Sequence, residues 1–400
     1  MKKCNGVSIL LTTVLGSALI GWSPLYPPYT NAASDKGESV PRSVRSGSAT
    51  DSSSDSMRIY MIDVGQGDSA LVIFPDKQTM LIDAGEDWAG RSIINLLGRL
   101  GISKLDILVA SHGHPDHTRG FSAMISRGYT TTSTTAYGCE DGSWNGITWC
   151  GVNPGEVIYN SGVATATCYA VMGHVIGGAY VDPGRNKNAR SVVLDIKFGG
   201  FDYLTGGDLT GSGHRPDVED PLGDALAARM VHIDVYKVHH HGSRHSSNLY
   251  FLQKIMPEFA MISMGDGNPF GHPTQAVLNR LNDPSVHALR IFQTEKGNGG
   301  TAPNVTVAQG QIMISTDGVS YSITNEGPGS TVFSYGPYPV DEDVWPMFHH
   351  DVSNSVETGY SERRTGTIAW SYATGDLGNA SSSRLNVVRS IQSTSLASRH

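Results

Sequence analysis

The chain has 400 residues, 39% of them hydrophobic, a formal charge of -8 and a pI near 6.0. That is enough apolar material for a substantial core. The charge argues against a broad basic surface, so no stable coat on nucleic acid is expected; an enzyme that grips one or two phosphates through metal ions remains open.

At the N-terminus, Lys2 and Lys3 precede a mostly apolar stretch over 7–22, which is broken by Ser, Thr and Gly. Thr30-Asn31-Ala32-Ala33 offers a small-residue cleavage site. The reading is a signal peptide over 1–32, hence a secreted or periplasmic protein with no membrane span after cleavage. Residues 33–56, rich in Ser, Asp and Gly, read as a flexible linker.

Order begins at Met57. Strands are expected over 58–64, 70–74 and 79–83, the last two joined as a hairpin by Pro75-Asp76-Lys77. Apolar residues at helical spacing predict a helix over 88–100 that stops at Gly101. A buried strand follows over 105–110. Cys139 and Cys150 flank a turn-rich loop and are expected to close a disulfide. Cys168 would then be a buried free thiol. Further strands are expected over 191–196, 201–205, 234–238 and 259–263, with helices over 224–231, 249–255 and 274–281. Strands that end in polar residues, mixed with helices, predict an α/β fold of two sheets covered by helices, its site on loops at one sheet edge.

From 326 to 400 the chain is Ser/Gly/Tyr-rich. Trp345-Pro346-Met347-Phe348-His349-His350-Asp351 and Ile368-Ala369-Trp370-Ser371-Tyr372 resemble the opening of one quinoprotein-type β-propeller repeat. A single repeat cannot bury its own apolar face, so a poorly structured extension is expected.

The chemistry concentrates in Ser111-His112-Gly113-His114-Pro115-Asp116-His117. Three imidazoles and a carboxylate within six positions are the ligand types of a transition-metal site. On an extended segment His112 and His114 share a face and can reach one ion. Asp116 and His117 point apart and can serve a second, with Pro115 suited to the first turn of a helix. Downstream, His174, Asp208 and the His240-His241 pair are ligand types in segments where nearby glycines let the backbone turn. The extra His239 leaves the assignment among 239, 240 and 241 open. His214, His232, His287, His349 and His350 read as surface histidines. Arg244 and His245 are candidates to meet an anionic substrate.

The HxHxDH pattern at 112–117, with these downstream ligands, resembles the metallo-β-lactamase superfamily over residues 57–325. The resemblance implies a four-layer αβ/βα sandwich. It implies that His112, His114 and His174 hold one ion, that Asp116, His117 and one of His240 or His241 hold the second, and that Asp208 bridges them. Asp83 would support the site from behind. Asp63-Val64-Gly65-Gln66-Gly67-Asp68-Ser69, His240-His241-Gly242-Ser243 and Asn268-Pro269-Phe270-Gly271-His272-Pro273 look like the hydrolase domain of ComEC-type competence proteins. In that domain Asp68, Ser243 and His272 are expected to shape the site or meet substrate.

The expected chemistry is hydrolysis by a hydroxide shared between two divalent ions, with Asp116 and Asp208 as catalytic carboxylates that orient and bridge. Zinc suits the histidine-rich set; manganese fits the carboxylates. The expected substrate is an anionic phosphodiester, of nucleic acid or of the cell envelope. The alternatives are a small-molecule lactam, lactone or other cyclic ester or amide, and a non-catalytic binding module. The sequence leaves the oligomeric state open.

Overall fold

The computed structural model describes residues 56–326, apart from 212, 214, 215 and 287, and the backbone of 332–335. The signal peptide, the linker, the propeller-like segment and His214, His287, His349 and His350 lie outside the described residues.

The first half runs β1 (Met57–Met61), β2 (Ala70–Ile73), β3 (Thr79–Ile82), α1 (Gly90–Arg99), β4 (Ile107–Val109), α2 (Pro115–Thr118), α3 (Phe121–Ser126), β5 (Thr135–Gly138), β6 (Gly142–Trp144) and β7 (Ile147–Gly151). Then come β8 (Val157–Asn160), β9 (Ala164–Val171), β10 (His174–Val175), β11 (Val193–Phe198), β12 (Phe201–Thr205), α4 (Glu219–Ala227), β13 (Val235–Lys237), α5 (Leu249–Ile255), β14 (Phe259–Ile262), α6 (Gln275–Leu281), β15 (Arg290–Gln293) and β16 (Val305–Val307). The chain returns to the first sheet with β17 (Ile312–Thr316), β18 (Tyr321–Asn325) and β19 (Val332–Tyr335). One sheet has the order β19-β18-β17-β1-β2-β3-β4-β5-β7-β6, the other β10-β9-β11-β12-β13-β14-β15-β16, with β8 on β9. β19 carries the first sheet past residue 325, where the domain boundary was expected.

Alternation along the strands explains why they read as unbroken apolar runs. In β1, Ile59 and Met61 face the space between the sheets, where they meet Leu194, Tyr203 and Met261. Tyr60 faces the other way, onto Ile93, Leu96 and Leu97 of α1 and Phe121 of α3. Successive side chains point to opposite faces, and both faces are covered. The second sheet repeats this, with Leu204 and Tyr236 packed on Leu222, Phe251 and Leu278 of its helices. The result is the expected helix–sheet–sheet–helix sandwich. Gly101 (φ +67) ends the first helix in the left-handed region, as its position predicted.

Three local expectations need correction. The helix expected over 224–231 starts at Glu219, where two acidic residues in the first turn suit the positive end of the helix. Cys139 is a free thiol, so it forms no bridge with Cys150, although Cys168 is the buried free thiol expected. Register explains this: Cys150 pairs with Tyr137, so Cys139 is offset along the neighbouring strand. His232 is not a surface histidine; it is half-buried beside Asp234, 3.2 Å from its carboxylate.

Strand direction places the site. β3 and β4 run parallel, as do β12, β13 and β14. Their C-terminal ends, with the end of β1, open on one edge of the sandwich, where ligand sites of such sheets form.

Candidate metal centre

Asp208, just past β12, sits at the middle of this edge. Its Oδ2 faces His112 Nε2 at 3.8 Å and His240 Nε2 at 3.6 Å. Its Oδ1 faces His117 Nε2 at 3.2 Å and His241 Nε2 at 3.5 Å. One carboxylate thus serves two groups of ligand atoms. His112, His114 and Asp208 converge in one, with His112 Nε2 only 2.9 Å from His114 Nδ1. His117, His241, Asp208 and Asp68 converge in the other. Asp116, at the half-buried mouth, reaches His241 Nε2 at 3.4 Å.

The imidazoles are aimed by what holds their far nitrogens. Ser111 Oγ donates to Asp83 Oδ2 at 2.6 Å and lies 3.1 Å from His112 Nδ1. His117 Nδ1 donates to Asp83 Oδ2 at 2.8 Å. His241 Nδ1 donates to the Ser263 carbonyl at 2.9 Å. All three therefore turn Nε2 toward Asp208, an arrangement that fixes tautomer and ring direction in metal sites.

The charge balance fits cations. Asp68, Asp83, Asp116 and Asp208 gather around the histidines, with one lysine, Lys237, whose ammonium binds Asp68 and the Gly207 carbonyl. Burial opposes charge throughout, yet Asp208 and Asp83 hold His117 well above its ordinary pKa, and Asp208 and Asp68 raise His241 to about 10. Asp208 is held well below the carboxylate range against its burial, by His117, His240 and His241. Without metal, protons on the histidines would carry the positive charge this site demands. His117 Nε2, His241 Nε2, Asp208 Oδ1 and Asp68 Oδ1 are buried and have no hydrogen-bond partner among the described residues. Nitrogen and oxygen donors that converge in this way fit divalent metal ions.

The structure decides among the three consecutive histidines. His239 turns inward, where Nδ1 meets Glu219 Oε1 at 2.8 Å. His240 and His241 both lie in the left-handed region (φ 54 and 53), and that turn brings both rings onto Asp208. Such backbone is costly for residues with a Cβ and clusters at functional sites.

His174 is not brought in. It is exposed on β10, its ring against Tyr180 at 4.4 Å, because the chain reverses through Met172 and Gly173 in left-handed conformations. His240 takes the place beside Asp208 that the resemblance implied for His174.

The remaining expected residues build the floor and rim. Asp68 donates its backbone N–H to the Asp116 carbonyl at 3.1 Å. A Cβ on Gly67 (φ +137) would stand 2.3 Å from that same oxygen, so glycine is required there. Ser243 closes the histidine turn through its N–H to the His240 carbonyl at 2.8 Å. Asn268 accepts the His272 N–H at 2.9 Å and sets that ring 5.7 Å from His240. Burial, then the charges of His241 and His240, push the His272 imidazole down to about 3, so it is neutral. Arg244 stays exposed, 3.2 Å from the His245 ring.

Sequence reasoning missed Lys237, Ser111 and the 187–190 segment. Lys237 had a signal: it is an ionisable residue inside the apolar run Val235-Tyr236-Lys237-Val238.

The fold and this site define the class, and residues 62–131 match the model of the Metallo-beta-lactamase superfamily. Over that segment the chain is similar to the superfamily. It is also similar to competence proteins. It is 29% identical over 262 residues to ComE operon protein 3 of Bacillus subtilis (strain 168), covering 59% of this chain and 32% of that protein. It is also 29% identical over 245 residues to Competence protein ComA of Neisseria gonorrhoeae, covering 58% of this chain and 30% of that protein. The chain thus spans about a third of the length of these curated relatives. Among solved structures it is similar to the metallo-beta-lactamase fold protein YhfI from Bacillus subtilis, with a TM-score of 0.38 and 13% identity over 61% of this chain and 98% of that one. No helix among the described residues is long and apolar enough to cross a membrane.

Proposed function

We propose that this protein cleaves phosphodiesters with two divalent ions, zinc or manganese, and acts outside the cytoplasm. The observation that carries the reading is Asp208, with one oxygen turned to each ligand group. His112, His114, His240 and Asp208 would hold one ion; Asp116, His117, His241 and Asp208 would hold the other. When bound, such ions acidify water and offset charge that develops on a phosphoryl oxygen.

The chain's own residues prepare the rest. Asp83 and Ser111 fix the rings of His112 and His117 from behind. Asp116, held down at about 2 against its burial by His241 and His117, is ionised at the mouth and serves as an acceptor rather than an acid. His272, neutral beside His240, offers substrate a hydrogen bond without adding charge. The preference for phosphodiesters rests on the competence-type motifs and the likeness to competence proteins.

The test is turnover by purified, metal-analysed protein of bis-p-nitrophenyl phosphate, single-stranded DNA and a chromogenic lactam. Phosphodiester cleavage lost in His112→Ala and Asp208→Ala is the expected result. Cleavage that survives both substitutions refutes the two-ion reading. Turnover of the lactam alone reverses the substrate, and protein without bound metal points to a binding module.

A further inference from the structure

We infer that the 187–190 turn, together with Trp144, forms a subsite for the nucleotide next to the scissile phosphate of a single-stranded polynucleotide. Lys187 and Arg190 take that nucleotide's phosphate. The inference rests on the phosphodiester reading above.

A cavity of about 410 Å³ opens directly beside His112 and Gly113. Three cations line it, Arg119, Lys187 and Arg190, against one acid, Glu140. Arg119 is already paired with Glu86 at 3.0 Å, which leaves Lys187 and Arg190 as the cations to meet a ligand. In a chain of formal charge -8, such a concentration beside the ligand loop is not a generic surface.

The turn is tied to the metal centre at both ends. Lys187 Nζ donates to the Gly113 carbonyl at 3.3 Å, between His112 and His114. Asn188 Nδ2 lies 3.4 Å from His240 Nε2. The turn therefore spans from one histidine loop to the other, and an anion on it sits within one substrate's reach of the reacting phosphate. Arg190 is braced by its NH2 to the Gly184 carbonyl at 2.6 Å, while its Nε is buried with no hydrogen-bond partner among the described residues.

Aromatic faces indicate what else the ligand carries. Trp144 lines the cavity and is stacked on the buried Trp149, centroids 4.2 Å apart and rings 10° from parallel. Across the site, Phe270 is 62% exposed, and its ring stacks at 5.6 Å and 26° on His272. Cations that follow a phosphate chain, with rigid aromatic rings on either side, are how single strands are held, because every base has a face to stack.

The test is fluorescence anisotropy of a labelled, phosphorothioate-linked single-stranded oligodeoxynucleotide on the metal-loaded protein at several salt concentrations. It is read beside kcat/KM for a natural oligodeoxynucleotide and for bis-p-nitrophenyl phosphate, which has no second phosphate. Lys187→Ala/Arg190→Ala is expected to weaken oligonucleotide binding tenfold or more. Both cations take the same phosphate, so the double variant should flatten the log–log salt slope by about 0.7 and Lys187→Ala by a part of that. The ratio of kcat/KM for oligonucleotide over small substrate should fall at least tenfold. Lys187 is exposed, so its single variant keeps the test valid if the double variant does not fold. An unchanged salt slope, or equal loss on both substrates, overturns the subsite. Wild-type protein that turns over neither phosphodiester overturns the underlying reading instead, and the binding slopes are then read on their own.

Discussion

Replacement of Lys237 by Met separates the electrostatic floor of the site from its ligands. The ammonium is buried between the sheets, bound to Asp68 and to the Gly207 carbonyl. Lys237→Met keeps the apolar stem but leaves the Asp68 carboxylate buried with only imidazoles opposite, His241 at 3.3 Å and His117 at 3.8 Å. Loss of one partner from a buried pair costs about 3–5 kcal/mol, far more than an exposed pair would. For a domain of this size that corresponds to a fall in Tm of roughly 10 °C. Denaturant unfolding in excess chelator checks it, since bound metal would otherwise add its own stabilisation. Asp68→Asn in the same molecule removes the stranded charge, so the double variant should recover a large part of the loss. Lys237 and His241 hold the Asp68 carboxyl below its ordinary range against burial. A lowered folded pKa contributes stability that is complete above about pH 4 and is lost only as pH falls further, so the wild-type contribution is fully present from about pH 5 to 8, where the comparison is made. A single-variant loss below about 1 kcal/mol, or a double variant as unstable as the sum of the singles, would refute the reasoning.

Zinc at about 100 times its Kd should stabilise the protein by about 2.7 kcal/mol per ion. Metal analysis and Tm should show that gain reduced in His240→Ala and intact in His174→Ala; the opposite pattern would restore His174 as a ligand. At the other end of the second sheet, burial raises Asp195 well above the carboxylate range, with Asp202 beside it, and burial raises Asp202 to about 6. Raised folded pKa values mean stability that is full in acid and lost as pH climbs from about 4 through 6. Asp195→Asn should therefore stabilise the protein at pH 8 relative to wild type and flatten its pH profile, read as the denaturant midpoint at pH 5 and pH 8.

Much of the sandwich was legible because it is local. Leu249–Ile255 is helical as its spacing predicts, and Phe201–Thr205 is the strand its composition predicts. The strands β5 to β10 are hard to read in the sequence, since β5 and β9 mix buried and half-buried residues without a clean apolar run. His112, His114, Asp116 and His117 were legible as a group, because Pro115 and the preceding apolar strand mark one tight turn. His174 misled because a histidine beside glycines looks the same whether its loop folds toward the site or away from it.

By itself the sequence determined the ligand types, the strand that delivers the first cluster and the apolar runs that become two doubly covered sheets. Tertiary structure decided which ligands meet. Asp208 receives two groups only because β12 and β13 lie side by side in one sheet and β4 faces them from the other. His240 and His241 reach it through consecutive left-handed residues that local propensity disfavours. Lys237 and the 187–190 turn likewise gained meaning from what lies across the gap. Spacing along a chain constrains neighbours within a few residues, whereas a metal centre is an agreement among side chains from loops over a hundred residues apart, set by how the sheets pack.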